Sequence, residues 1–232
     1  MYVPATLAQP AALTPIEISA SATPPLQAPA HTSLRDVRSE LNVLEGHATS
    51  VTGRLTAAVS ATSSTTAISD PQALAARGAG LPRRAVSLQA LGSHGWKTLA
   101  STHTKANGRF RLRYMPHENK SELVRLRFAG DAEDRGAHKR LGRLDVYRLA
   151  EASWYGGGGE LACGGELTSS TLGVANKTLP CGTQVTLRYD GRTVEVRVID
   201  RGPYIAGREF DLTEATKQAL GFGGVGEVWS TR

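Results

Sequence analysis

Short runs of this chain alternate between apolar and polar residues. In Arg109–Tyr114, RFRLRY, the residues Phe110, Leu112 and Tyr114 fall on one side and three arginines on the other. The stretch LVRLRF repeats the pattern with Val124, Leu126 and Phe128, VSLQAL with Val86, Leu88 and Ala90, and RLDVYRL with Leu144 and Val146. Further on, QVTLRY and TVEVRVI do the same. A period of two puts every second side chain on one face of a strand, whereas a helix would scatter the same residues around its axis. The expected fold is therefore all-β, and 40% hydrophobic residues suffice to fill its cores.

The alternation starts only after Leu41. Residues 1–38, rich in Ala, Pro, Thr and Ser, are expected to be a disordered tail. They contain neither a basic start nor an unbroken apolar stretch, so no export signal is readable, and no run reaches membrane-spanning length. Residues 39–149 are expected to form an Ig-like β-sandwich, with a long irregular loop near 58–84. The Asn107–Gly108 pair in ANGR predicts a hairpin turn. From Asp145 to Tyr155 the chain reads as strand, so the sandwich is expected to lead almost directly into a unit over residues 150–232. There, Asp190–Gly191 predicts a second hairpin. DLTEATKQALG predicts a helix, with Asp211 at the N-cap, Glu214 three places on, and Gly221 at C′.

Charge divides along the chain. Residues 1–150 hold 19 Lys/Arg against 11 Asp/Glu, and residues 151–232 hold 8 against 10. The basic front either attracts a polyanion, such as nucleic acid or an anionic wall polymer, or consists of solvated strand faces. Strand-alternating arginines without interleaved aromatics favour the second. All six histidines precede residue 139, which excludes a Ser/His or Cys/His nucleophile built within the back segment. The two cysteines, Cys163 and Cys181, lack a CxxC partner or a His cluster, so zinc is not expected. A disulfide is the better reading, two buried thiols the other, and a disulfide implies an oxidising compartment.

The back segment contains ASWYG, ANKTLPCGTQV, VRVIDRGPYIAGREFDLT and ALGF in that order. These motifs resemble the RlpA-like double-psi β-barrels, DRGP followed by FDLT being the most specific. The cysteine-bearing stretch resembles forms common in actinobacteria, where a sandwich of this kind often precedes the barrel. The resemblance implies a six-stranded barrel with one short helix, in a family whose best-studied members are lytic transglycosylases of peptidoglycan. Related expansin barrels loosen walls without clear hydrolysis.

The resemblance also assigns residues. Family enzymes use a Glu, a His and the Asp of DRGP. The Asp is present as Asp200, the His position holds Asn176, and the Glu position holds Gly165 with Glu166 one place later. Asp200 is the candidate acid and base of an intramolecular transfer, or else accepts hydrogen bonds from its own turn. Asp211 is a second catalytic candidate, since expansin-type barrels use an aspartate in the matching DL position, or else only caps the helix. Trp154, Tyr155, Glu166, Asn176, Arg201 and Tyr204 are the substrate-binding candidates. Of these, Trp154 and Tyr155 either stack on sugar or belong to the core, and Asn176 either contacts sugar or caps a loop. The expected partner is peptidoglycan or another wall glycan, outside the cytoplasm; no cofactor, metal or nucleic acid is expected. A lytic enzyme, a non-catalytic wall-binding module and an envelope scaffold all remain open.

Overall fold

The computed structural model describes residues 28–57 and 78–232. The front half runs β1 (Thr32–Ser39), β2 (Asn42–Leu44), β3 (Thr49–Ala57), β4 (Ala85–Gly92), β5 (Gly95–His103), β6 (Arg109–Tyr114), β7 (Ser121–Gly130) and β8 (Arg135–Tyr155). One sheet has the order β1-β3-β6. The other runs β5-β4-β7 and on to the front of β8, with β2 paired to the far edge of β8. Both sheets turn their apolar sides to one core. Leu34, Val51, Leu55, Phe110 and Leu112 come from the first; Val86, Leu88, Val124, Leu126, Phe128, Leu144 and Val146 come from the second. Each such side chain contributes about 1.5–3 kcal/mol on full burial, so the alternation itself selects the two-layer arrangement.

The back half adds β9 (Gly159–Glu160), β10 (Glu166–Leu167), β11 (Val174–Asn176), β12 (Gln184–Tyr189), β13 (Arg192–Asp200), β14 (Phe210–Thr213), a helix (Glu214–Leu220) and β15 (Gly226–Ser230). Six strands follow one another as β14-β11-β13-β12-β15-β8, and β8 pairs again with β14. The ring is closed, so this barrel leaves no open sheet edge. It encloses a second core that includes Ala152, Val174, Val185, Leu187, Val198, Phe210, Leu212 and Val228. The Asp190–Gly191 turn joins β12 to β13 as expected: both residues have positive φ, 44° and 78°, and Tyr189 faces Arg192 across it.

Three local expectations give way. A strand, β1, occupies the end of the stretch read as tail, paired to β3 from Thr32 onward; a bulge between Arg35 and Arg38 breaks the alternation that would have revealed it. Residues 1–27 of that tail, and residues 58–77 of the expected loop, lie outside the described residues. Asn107–Gly108 does not turn a hairpin. Only Gly108 has positive φ, and β6 pairs with β3 rather than with β5, so the turn carries the chain from one sheet to the other. The helix N-cap is Thr213, whose hydroxyl accepts the amide of Thr216, and not Asp211. Gly221 does close the helix, with φ 71°.

The two cores are joined by one uninterrupted strand. β8 pairs with β7 and β2 up to Tyr147, and with β15 from Arg148 onward. Tyr147 marks the junction: it is fully buried, its hydroxyl donates to Asn42 Oδ1 at 2.7 Å, and its ring lies 5.7 Å from that of Trp229 in β15. Burial, reinforced by the charge of Asp145, pushes its pKa up to about 12 from the ordinary 10.0. Stability is expected to hold up to about pH 10 and to fall as pH rises through about 12. Over that range the unfolded chain releases a proton that the folded chain retains. Tyr147→Phe is expected to cost about 1 kcal/mol at neutral pH, by orphaning Asn42, and to flatten the alkaline fall. Urea unfolding of both proteins at pH 7 and pH 11 checks both effects.

Candidate functional site

Four residues stand side by side across four barrel strands. Ser153 of β8 pairs with Asp211 of β14, Asp211 with Ala175 of β11, and Ala175 with Asp200 of β13. Lateral partners in a sheet share a face, and adjacent strands lie ~4.8 Å apart, so the two aspartate backbones flank Ala175 at roughly 10 Å. Alanine between them keeps the floor low.

Alternation alone puts Asp211 on this face. Its neighbours Phe210 and Leu212 both point into the barrel core, so Asp211 must point away from it. Asp200 needs a further device. Val196 and Val198 face the core, and the same parity would turn Asp200 inward with them. The register with β11 instead shifts by one residue: Val174 stands beside Val198 and Ala175 beside Asp200, with Ile199 left over. This extra residue re-aims the aspartate to the face of Asp211. Room for it comes from Gly173, where a Cβ would overlap the Ile199 side chain.

Asp200 is then pinned. Its Oδ1 accepts the amides of Ala162 at 2.9 Å and Arg201 at 2.8 Å. The Ala162 amide belongs to the turn between β9 and β10, and this hairpin is fastened to the end of β13 by Cys163 N–H to Ile199 O, 3.2 Å. The loop on the other side is fastened by Gly182 N–H to Val198 O, 2.8 Å. Cys163 and Cys181 are bonded, linking these two loops to each other across the strand end.

Tyr155 lies two residues beyond Ser153 and so on the same face. Its hydroxyl oxygen is shielded from solvent and has no hydrogen-bond partner among the described residues. Burial first, then the charges of Asp200 and Asp211, push its pKa well above the usual tyrosine value. The group therefore stays protonated. Asp211 accepts from Ser153 Oγ at 2.7 Å.

The other candidates are placed differently. Trp154 points to the opposite face from Tyr155, is 40% exposed, and lies under Lys217 Nζ, 3.8 Å from the ring centroid. Asn176 is 3% exposed and committed to backbone: Oδ1 accepts the amides of Thr178 and Leu179, and Nδ2 donates to Glu209 O. Arg201 turns back to the carbonyls of Asn176 and Leu179 and to Cys181 Sγ. Glu166 is exposed on the β9–β10 hairpin, next to Gly165 with φ 88°. Tyr204 is 84% exposed in the turn after β13. The structure thus brings together Asp200, Asp211 and Tyr155. It adds Ser153 and Ala175, which sequence reasoning missed. The spacing of Ser153 and Tyr155 in ASWYG was the available signal for the first.

One group of carboxylates elsewhere could gather round a cation, Asp131, Glu133 and Asp134. Arg84 already sits among them, 2.8 Å from Glu133 and 3.0 Å from Asp134.

Residues 149–229 match a protein-family model described as lytic transglycolase. A probable endolytic peptidoglycan transglycosylase RlpA of Synechocystis sp. is 43% identical over 84 residues, 33% of this chain and 26% of that protein. The endolytic peptidoglycan transglycosylase RlpA of Neisseria meningitidis serogroup A is 42% identical over 80 residues, 32% of this chain and 34% of that protein. The chain thus spans between a quarter and about a third of the length of these relatives. Among solved structures, the Streptomyces papain inhibitor is similar at 24% identity and a TM-score of 0.31, over 36% of this chain and 91% of that one.

Proposed function

We propose, on the premise that residues 149–229 form an RlpA-like double-psi β-barrel, that this barrel acts on peptidoglycan glycan strands in the manner of a lytic transglycosylase, with Asp200 as its acid and base. The observation that carries the reading is the placement of Asp200 by the extra residue Ile199, on one face with Asp211 and the buried Tyr155 hydroxyl. Both backbone bonds to Asp200 fall on Oδ1, which leaves Oδ2 for the substrate.

The chemistry is an intramolecular transfer. A carboxyl proton passes to the glycosidic oxygen as the bond to the anomeric carbon breaks. The resulting carboxylate then takes the proton from the sugar's own C6 hydroxyl, whose oxygen closes onto the anomeric carbon as a 1,6-anhydro ring. No water is consumed, so a second carboxylate for positioning water is not required, in contrast to hydrolysis. Asp211 holds a sugar hydroxyl or N-acetyl group over Ala175. The reading puts the protein outside the cytoplasm, in the envelope, where the Cys163–Cys181 bond persists. Residues 39–149 then act as a carrier module in front of a working barrel over residues 150–232.

A second reading is a non-catalytic barrel that grips glycan. It is favoured by the two changed enzyme positions: Gly165 offers no side chain, and the amide of Asn176 is spent on the backbone. Incubation with purified sacculi, followed by mass analysis of the soluble fraction, separates them. Anhydro-muramyl ends are expected for the enzyme. Retention on the sacculi with no soluble product would establish the grip instead.

A further inference from the structure

We propose that the outer face of the β1-β3-β6 sheet is a docking surface for an extended phosphodiester polymer of the cell envelope. The three strands hold six arginines, no lysine and one acidic residue, Asp36. Arg35, Arg54 and Arg109 are direct lateral partners, one from each strand. The next row is Arg38, Thr52 and Arg111, and beyond it Arg113 stands beside Ser50. All six point away from the core, because Leu34, Val51, Leu55, Phe110 and Leu112 take the inner positions. Guanidinium stems are therefore spaced ~4.8 Å across the sheet and ~6.7 Å along it.

The grid is built by the fold. Arg35 and Arg38 are three residues apart and would face opposite ways in a regular strand. The bulge between them, with Asp36 at φ 50°, brings both to the outside. Arg54 Nε donates to Asn107 O at 2.9 Å and Arg35 Nε to Ser33 Oγ at 3.1 Å, which fixes two stems and leaves their terminal nitrogens outward. None of the six takes part in an ion pair among the described residues. Like charges directly opposite one another destabilise a sheet, so a row of three arginines is a standing cost that a bridging anion removes.

The occupant follows from the chemistry. Arginine forks match phosphate oxygens two at a time, and a flat grid suits a chain with regularly repeated charge. Single-stranded nucleic acid is bound on aromatic stacking platforms, and none of the residues on this face is aromatic. That the polymer is one of the envelope rests on the proposed function of the barrel.

The test is binding of the whole protein to fluorescent poly(glycerol phosphate). Affinity is expected to fall roughly 20- to 50-fold between 50 and 200 mM salt, the change expected for three or four neutralised phosphates. The triple variant Arg35→Ser, Arg54→Ser, Arg109→Ser is expected to bind roughly tenfold or more weakly while unfolding no more easily. If that variant does not fold, Arg38→Ser with Arg111→Ser takes its place. A control with the same loss of charge on the barrel, Lys177→Ser, Arg192→Ser and Arg208→Ser, is expected to stay within about twofold. Equal weakening by the control, no binding, or tighter binding of charge-matched oligothymidylate or polyglutamate would overturn the proposal. Sacculi stripped of anionic polymer report on the barrel alone, so a failure there is distinguishable from a failure of this face.

Discussion

Asp200→Asn is expected to lower the yield of anhydro-muramyl products from sacculi by at least about 10²-fold, the usual contribution of a positioned acid or base. The substitution is nearly isosteric. The amides of Ala162 and Arg201 still find an oxygen at Oδ1, so the loops that hold the residue keep their bonds. What disappears is the group that, in the proposed mechanism, carries a proton to the glycosidic oxygen and takes one from the C6 hydroxyl. Retention on the wall should persist, because Asp211 and the Ser153 hydroxyl that orients it are untouched. Asp211→Asn is expected to be milder, since an amide oxygen still accepts from Ser153 Oγ. If the barrel only grips glycan, there are no products to lose, and Asp200→Asn weakens retention by about 1.5–3 kcal/mol, a hydrogen bond to a charged group. A variant that folds, cuts and binds like the parent would make Asp200 a structural residue of its turn.

The residues that hold this site were only partly legible in the sequence. Alternation identified the strands and their inner faces, because a buried side chain every second residue leaves a pattern that few other structures share. Asp190–Gly191 was legible for the same kind of reason: two positive φ angles in succession call for this pair of residues. A one-residue bulge has no such signature. Nothing in VRVID marks Ile199 as the extra residue, and counting from Val196 and Val198 sends Asp200 into the core. The partner glycine that makes the bulge possible, Gly173, lies on a different segment. The same blindness hid Arg38 beside Arg35. For Asp211, a cap and a strand position compete on local sequence alone. The register with Ser153 and Ala175 decides it, and register is a tertiary property. Asn176 shows the reverse case: a motif position suggested sugar, whereas the backbone amides within three residues had the stronger claim.

Replacing both Cys163 and Cys181 by serine is expected to cost about 3 kcal/mol, because an 18-residue separation is no longer closed in the unfolded chain. The consequence for the site should exceed the loss of stability. Once the bond is open, the loop carrying Cys181 is still held by Arg201, through the carbonyls of Asn176 and Leu179, and by the amide of Gly182. The β9–β10 hairpin keeps only the Cys163 and Ala162 amides on β13. It is the weaker of the two attachments, and it carries one of the two donors that aim Asp200. The double variant is therefore expected to lose product yield or wall retention at temperatures where it is still fully folded. Amide hydrogen exchange should locate the cause: faster at Ala162, little changed at Gly182. Equal protection at both amides, or full function in the folded double variant, would mean that the disulfide stabilises the barrel without positioning Asp200. Asp200 would then owe its orientation to the extra residue Ile199 and to the Ala162 and Arg201 amides, independently of the bond.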